Sequence, residues 1–109
     1  MSVQSELEKI KKLEEKRKSA GIIKLMDSRH ADTEVICAAL DALSAIADED
    51  SLNRITHYME HETPAVRLAA CRAGLKVGTE YMNTRVRYQL SAEQDAEVKK
   101  AIQEAFSAK

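Results

Sequence analysis

The sequence predicts an all-α chain: a short α-solenoid of about three helical pairs plus an N-terminal helix. Three observations predict it. Helix formers dominate and breakers are scarce, with 16 Ala against one Pro, three Gly, no Trp and four aromatics in 109 residues. Segments with the same apolar spacing recur at a shift of 31 to 32 residues. Each recurrence also follows a residue whose side chain suits a helix N-cap. The length leaves room for one domain.

The first element is a charged helix. Ser5-Glu6-Leu7-Glu8 has the capping-box pattern, and Val3, Leu7, Ile10 and Leu13 mark its apolar stripe. Val3, Leu7 and Ile10 lie 32 residues before Val35, Ala39 and Ala42, so residues 1–19 read as a capping helix on a repeat domain of residues 20–109. The alternative is a helix that runs on through Ala20 with Gly21 as its weak point. Its ten charges read as a solvated face with local Glu-Lys pairs.

Three pairs of helices follow, each an A helix and then a B helix. The A helices carry Ile22, Leu25 and Met26, then Leu52, Ile55 and Met59, then Met82, Val86 and Leu90. Asp48-Glu49-Asp50-Ser51 supplies caps and favourable charge at the start of the middle one. The B helices span about 33–47, 64–77 and 96–108, after Asp32, Thr63 and Asp95 as N-caps. Their buried stripes are Val35, Ala39, Ala42 and Ile46; Val66, Ala70, Ala73 and Val77; and Val98, Ile102 and Ala105. Pro64 follows its cap, where its fixed φ helps and its missing N–H costs nothing. Gly74 and Gly78 are suited to close helix approach and to ending the second B helix. On the last B helix the flank carries Lys99 and Gln103 with Phe106 as its one apolar residue, which reads as a C-terminal cap.

Thr63-Pro64-Ala65-Val66-Arg67-Leu68-Ala69-Ala70-Cys71-Arg72-Ala73 resembles the D-P-x-V-R-x-A-A-x-x-A core of HEAT repeats, in the short bacterial form of about thirty residues. Asp32 to Asp50 is similar to the same pattern. The chain departs from it at Ile36 and Lys99, where the family prefers Arg, at Thr63 for Asp, and at Thr33 and Ala96 for Pro. These changes fall on the ladder of Asp-Arg contacts that ties neighbouring repeats in that family. The resemblance implies a protein-binding or scaffold module without catalysis. It implies as alternatives an accessory subunit of an enzyme, as in bilin lyases, or a nucleic-acid-binding protein that uses a basic concave face.

Other chemistry finds little support in the residues. The formal charge is -1, and it divides as +2 over residues 1–20, -5 over 21–50 and +2 over 51–109. That division breaks any continuous basic track, so nucleic acid is disfavoured even with Arg67, Arg72, Arg85 and Arg87 as a local patch. No apolar run is long enough to span a bilayer, and Met1 to Ala20 is charged rather than built as an export signal. Cys37 and Cys71 form no CxxC and no disulfide framework, which favours reduced thiols and a cytoplasmic location. A catalytic cysteine would need a neighbouring base, and the cysteines lie on B helices while the histidines lie on or near A helices. His57 and His61 share a helical face but lack a dependable third metal ligand, and the HExxH pattern is absent. The three glycines form no phosphate loop. No catalytic residue, metal site or cofactor is assigned.

What remains is a surface for a protein partner. With the apolar stripes turned inward, the outward ridge of the B helices carries Cys37, Asp41 and Ser44, then Leu68, Arg72 and Leu75, then Lys100, Glu104 and Ser107. Leu68 and Leu75 flank Arg72, a combination suited to a binding hot spot; the alternative is that neighbouring helices or the N-terminal segment cover both leucines. Cys71 should be buried against the next repeat, whereas Cys37 falls on the outward side of its helix, where only the N-terminal helix or an A helix could cover it.

Overall fold

The structure, a computed structural model, describes residues 2–108. Among the described residues there are seven helices and no strand. They are α1 (Val3–Glu15), α2 (Ser19–Met26), α3 (Thr33–Ile46), α4 (Glu49–Tyr58), α5 (Pro64–Val77), α6 (Glu80–Ala92) and α7 (Ala96–Ser107). Helices α2, α4 and α6 are the A helices, and α3, α5 and α7 are the B helices. Packing runs α1 to α3, α3 to α5 and α5 to α7 in one layer, with the A helices forming the other. Helix α1 therefore stands in the B layer, beside α3.

The start of α1 differs from the expectation. Ser2 is the N-cap, its side chain accepting the N–H of Ser5 at 3.1 Å, so Ser5 lies inside the helix. The earlier start brings Val3 onto the stripe of Leu7, Ile10 and Leu13, which packs against the core. The helix stops at Glu15, and the chain turns through Arg17, whose φ is 55°. It does not continue into α2. The break falls before Gly21, which lies inside α2 where a Cβ would sit 3.0 Å from Leu13 Cδ2. Gly21 allows α1 and α2 to touch.

The expected caps divide into two kinds. Asp95 accepts the N–H groups of Glu97 and Val98, and Asp48 accepts that of Ser51. Thr79 does the same for Met82. Asp32 and Thr63 occupy the N-cap positions of α3 and α5, but their side chains make no capping hydrogen bond. At the other end, α3 and α5 finish alike, with Ala47 at φ 54° and Gly78 at φ 73°. Both are left-handed, which suits glycine and strains alanine.

Nearly all of the B-helix stripe is buried, from Val35, Ala39, Ala42 and Ile46 through Val66, Ala70 and Ala73 to Val98 and Ile102. Val77 and Ala105 are only half-buried. Val77 is the last residue of α5, and Ala105 belongs to the terminal helix, which no further helix covers among the described residues. The buried arc is wider than the stripe. In α3 it takes in Ile36, Leu40, Leu43 and Ser44, and in α5 Cys71, Gly74 and Leu75. A B helix meets a neighbour on each flank as well as the A layer, so its exposed ridge is narrow. Gly74 marks the A-layer side: a Cβ there would lie 2.8 Å from Met59 Cε and 3.1 Å from Val86 Cγ2.

Relieving the backbone at Ala47 tests the C-cap geometry. Ala47→Gly should stabilise the protein by about 0.5 to 1 kcal/mol, because the gain at positive φ exceeds the added freedom of the unfolded chain. Urea denaturation should show a higher midpoint with an unchanged slope, and a lower midpoint would contradict the left-handed assignment.

Candidate partner-binding groove

Where α3 and α5 lie side by side, the side chains between them are small. Ala65, Ala69 and Ala73 form the floor of an open groove of about 440 Å³. Cys37 and Asp41 line it from α3, and Leu68, Arg72 and Lys76 from α5. Lys76 Nζ reaches Asp41 Oδ1 across it at 3.1 Å. Both side chains are more than half exposed, so this pair adds little stability and is free to exchange partners. Arg72 is exposed and has no ion pair among the described residues.

The expected ridge is thus rotated. Asp41, Leu68 and Arg72 come together in the groove, with Leu68 half-buried. Ser44 and Leu75 do not belong to the surface. They follow Leu40 and Cys71 by one turn and are buried with them, at 6% and 7% exposure. Ser44 turns its hydroxyl back to donate to the Asp41 carbonyl, which satisfies it without solvent. Lys100 and Glu104 are exposed on α7 and do not line the groove. The flank expected to pack against the next repeat, which holds Cys71, extends further round the helix to Ser44 and Leu75, and the surface beside Arg72 takes in Lys76 instead. The signal available was the small, polar-flanked series Ala65, Ala69, Arg72 and Lys76.

The thiols are both free. Cys37 is half-buried, and its cover comes from α5 rather than from α1 or an A helix: Sγ lies 3.9 Å from the Ala65 carbonyl. Burial raises its pKa. Cys71 is fully buried, and desolvation, reinforced by the Glu93 charge, pushes its thiol up to about 12. Neither environment activates a nucleophile.

A second polar constellation closes the edge between α5 and α7. Arg67 meets Glu93 in a fork, Nε to Oε1 at 2.9 Å and Nη2 to Oε2 at 2.8 Å. Its remaining nitrogen, Nη1, donates to the carbonyls of His61 and Glu62, both at 3.0 Å. Glu93 also accepts from Gln89 and from the backbone N–H of Asp95, and its side chain is 0% exposed. These donors, Arg67 first, hold its carboxyl below the ordinary glutamate range. Arg67 stands at the arginine of the repeat pattern, but its partner is Glu93 in the α6–α7 turn, two residues before the N-cap. Nothing in the repeat pattern singled out Glu93.

The two histidines do not form a pair on one helix, because α4 ends at Tyr58 and His61 lies beyond it. His61 stacks on Tyr58 with centroids 5.5 Å apart, and its Nδ1 accepts the N–H of Thr63 at 3.0 Å. Among the described residues no group of three or more His, Cys, Asp and Glu is placed to hold a metal ion. The four arginines are likewise not one patch. Arg67 is committed to Glu93, Arg85 lies over Tyr88 and near Glu60, Arg87 lies over Phe106, and Arg72 faces the groove.

Helical pairs stacked through small residues, with an arginine bridging consecutive turns, are features of one family, and the family model for HEAT repeats matches residues 19–107. The chain belongs to the HEAT-repeat family. The match begins at the first residue of α2 and leaves α1 outside it. No curated protein and no solved structure matches the sequence. HEAT repeats suggest a protein-interaction or scaffold type of module. Among the described residues no helix is long and apolar enough to cross a membrane.

Two measurements probe these sites. Glu93 and Asp48 both have lowered pKa values in the folded state, Glu93 through Arg67 and Asp48 through Ser19 and Ser51. Their stabilisation is full above the unfolded carboxylate pKa and is lost as pH falls through the lower folded values. The urea midpoint should therefore drop on acidification below about pH 5. Glu93→Gln should be less stable at neutral pH and show a shallower acid decline; an unchanged decline would mean that Glu93 does not couple folding to protons. Separately, a thiol reagent applied at neutral pH to the folded protein should label Cys71 far more slowly than after unfolding. Equal rates would contradict its burial against the next repeat.

Proposed function

We infer that the protein is a non-enzymatic protein-binding module whose partner docks in the groove between α3 and α5. The observation that supports this reading most directly is the combination of an apolar floor with one free cation, Arg72, and one exchangeable pair, Asp41 and Lys76. Apolar contact drives association there, while the polar rim selects orientation. Leu68 supplies the adjacent apolar wall. The raised thiol pKa values of Cys37 and Cys71 agree with a chain that does no cysteine chemistry. With Arg67 committed internally and the other arginines dispersed, the surface favours a protein over nucleic acid.

The test is affinity capture with the tagged protein, followed by binding measurements on whatever protein is recovered. Arg72→Glu combined with Lys76→Glu should weaken binding by about tenfold or more, a loss of at least ~1.4 kcal/mol. These positions are exposed, so the melting temperature should hardly change. Substituting Lys100 and Glu104 should leave the affinity as it was. Undiminished binding in the Arg72 and Lys76 variant would place the partner elsewhere, and reproducible recovery of a single enzyme would make the chain its accessory subunit.

A further inference from the structure

The most exposed large apolar side chains in the described chain are Tyr81 and Tyr88, at 62% and 60% exposure. Both lie on α6, in the layer opposite the groove helices. They are seven residues apart, two helical turns, and so form one stripe about 10 Å long. Beside it runs a second stripe of the same length, made by Glu80 near the N-terminus of α6 and Arg87 toward its C-terminus, both exposed. Thr84, also exposed, lies between the two stripes at mid-height.

This arrangement is complementary to itself when turned end for end. A twofold axis through Thr84, perpendicular to α6, sets a second α6 antiparallel to the first and brings each stripe against its own copy in reverse order. Tyr81 then meets Tyr88 of the other copy, and Glu80 meets Arg87 of the other copy. Every contact occurs twice. A parallel twofold pair would set each tyrosine stripe against the charged stripe of the other copy, so only the antiparallel pair matches ring with ring and opposite charge with opposite charge. The rings are already set for such contact: Arg85 lies over Tyr88, 5.5 Å from its centroid, and limits where that ring can go.

The geometry points to a homodimer formed by α6 against α6 of a second copy of this chain. One helix from each side buries less than the 1,200 to 2,000 Å² of an ordinary stable complex, so the dimer is weak and depends on concentration, with a dissociation constant of about ten micromolar or higher. The B-layer groove remains uncovered in it, giving two partner sites per dimer.

Sedimentation velocity on the full chain from about 10 µM to 1 mM reads the association directly. The sedimentation coefficient should rise with concentration toward that of a dimer. Tyr81→Ser with Tyr88→Ser should hold the protein monomeric throughout. Glu80→Arg alone and Arg87→Glu alone should each weaken the dimer by about tenfold or more, and the two together should restore it, because the swapped charges face each other again. The restoration separates an interface from a folding defect, since a merely damaged helix is not repaired by a second change. A wild-type chain that stays monomeric up to about 1 mM, a dimer that survives the tyrosine changes, or a charge swap that fails to restore association would each overturn the proposal.

Discussion

The close approach of the B helices through small side chains is the constraint on which the rest of the molecule depends. Ala39 and Ala42 in α3 and Ala70 and Ala73 in α5 are buried, so small side chains occupy core positions of both helices beside the larger Leu40 and Leu43. Gly74 extends the same logic to the A layer, where Met59 and Val86 occupy the space that a Cβ would need. The groove follows from this constraint rather than being added to it. Ala65, Ala69 and Ala73 continue the small-residue row onto the outer surface, where the longer Leu68, Arg72 and Lys76 rise around it. Larger side chains on that row would fill the groove and spread the helices together.

Small residues bury little area each, so stacking in this chain is reinforced by polar ties from one turn to the next. Arg17 donates to the Ile46 carbonyl at 2.8 Å, and Ser19 to Asp48 at 2.6 Å. Tyr58 donates to Asp27 at 2.6 Å, with burial and that carboxylate raising its pKa. Arg67 grips Glu93. Each tie spans close to one repeat in sequence, yet no two join the same donor type to the same acceptor type. The repeat is therefore regular in its apolar register and irregular in its polar connections. A buried pair such as Arg67 and Glu93 contributes to the choice of one register chiefly because a slipped arrangement would strand a charged group without its partners.

How much was legible in the sequence follows the same division. The apolar spacing of Val35, Ala39, Ala42 and Ile46 and its copies specifies the helices and their inward faces, because a 3.6-residue period has one physical meaning in a chain nearly free of Pro and Gly. Gly74 and Gly78 were equally readable, since close approach and positive φ both need the missing side chain. The left-handed Ala47 was not, because alanine carries no signal for that conformation. Nor was the burial of Ser44, while that of Leu75 stood only as the alternative to an exposed hot spot. A single helix shows only its most apolar arc, and the second arc exists only when the next helix is in place. The site inherited that error, so two of its expected residues lie inside while Lys76 joins it. Glu93 was hidden for another reason: a glutamate before an N-cap reads as a solvated residue until Arg67 arrives from the preceding helix.

The two faces of the array also differ in what they offer to solvent. On the B side, the exposed ridge is narrow because every B helix is flanked by another, and the groove is consequently shallow, apolar in floor and rimmed by charges. On the A side, α6 is the last helix of its layer among the described residues and packs on α5 and α7. Its outer surface escapes the packing that buries its inward residues Met82, Val86 and Gln89, and the two tyrosines remain in water. Tyrosine tolerates that exposure through its hydroxyl while its ring still offers apolar area to a neighbour. The exposed rings on α6 and the groove between α3 and α5 therefore lie on opposite layers of the array, and contact at one leaves the other open.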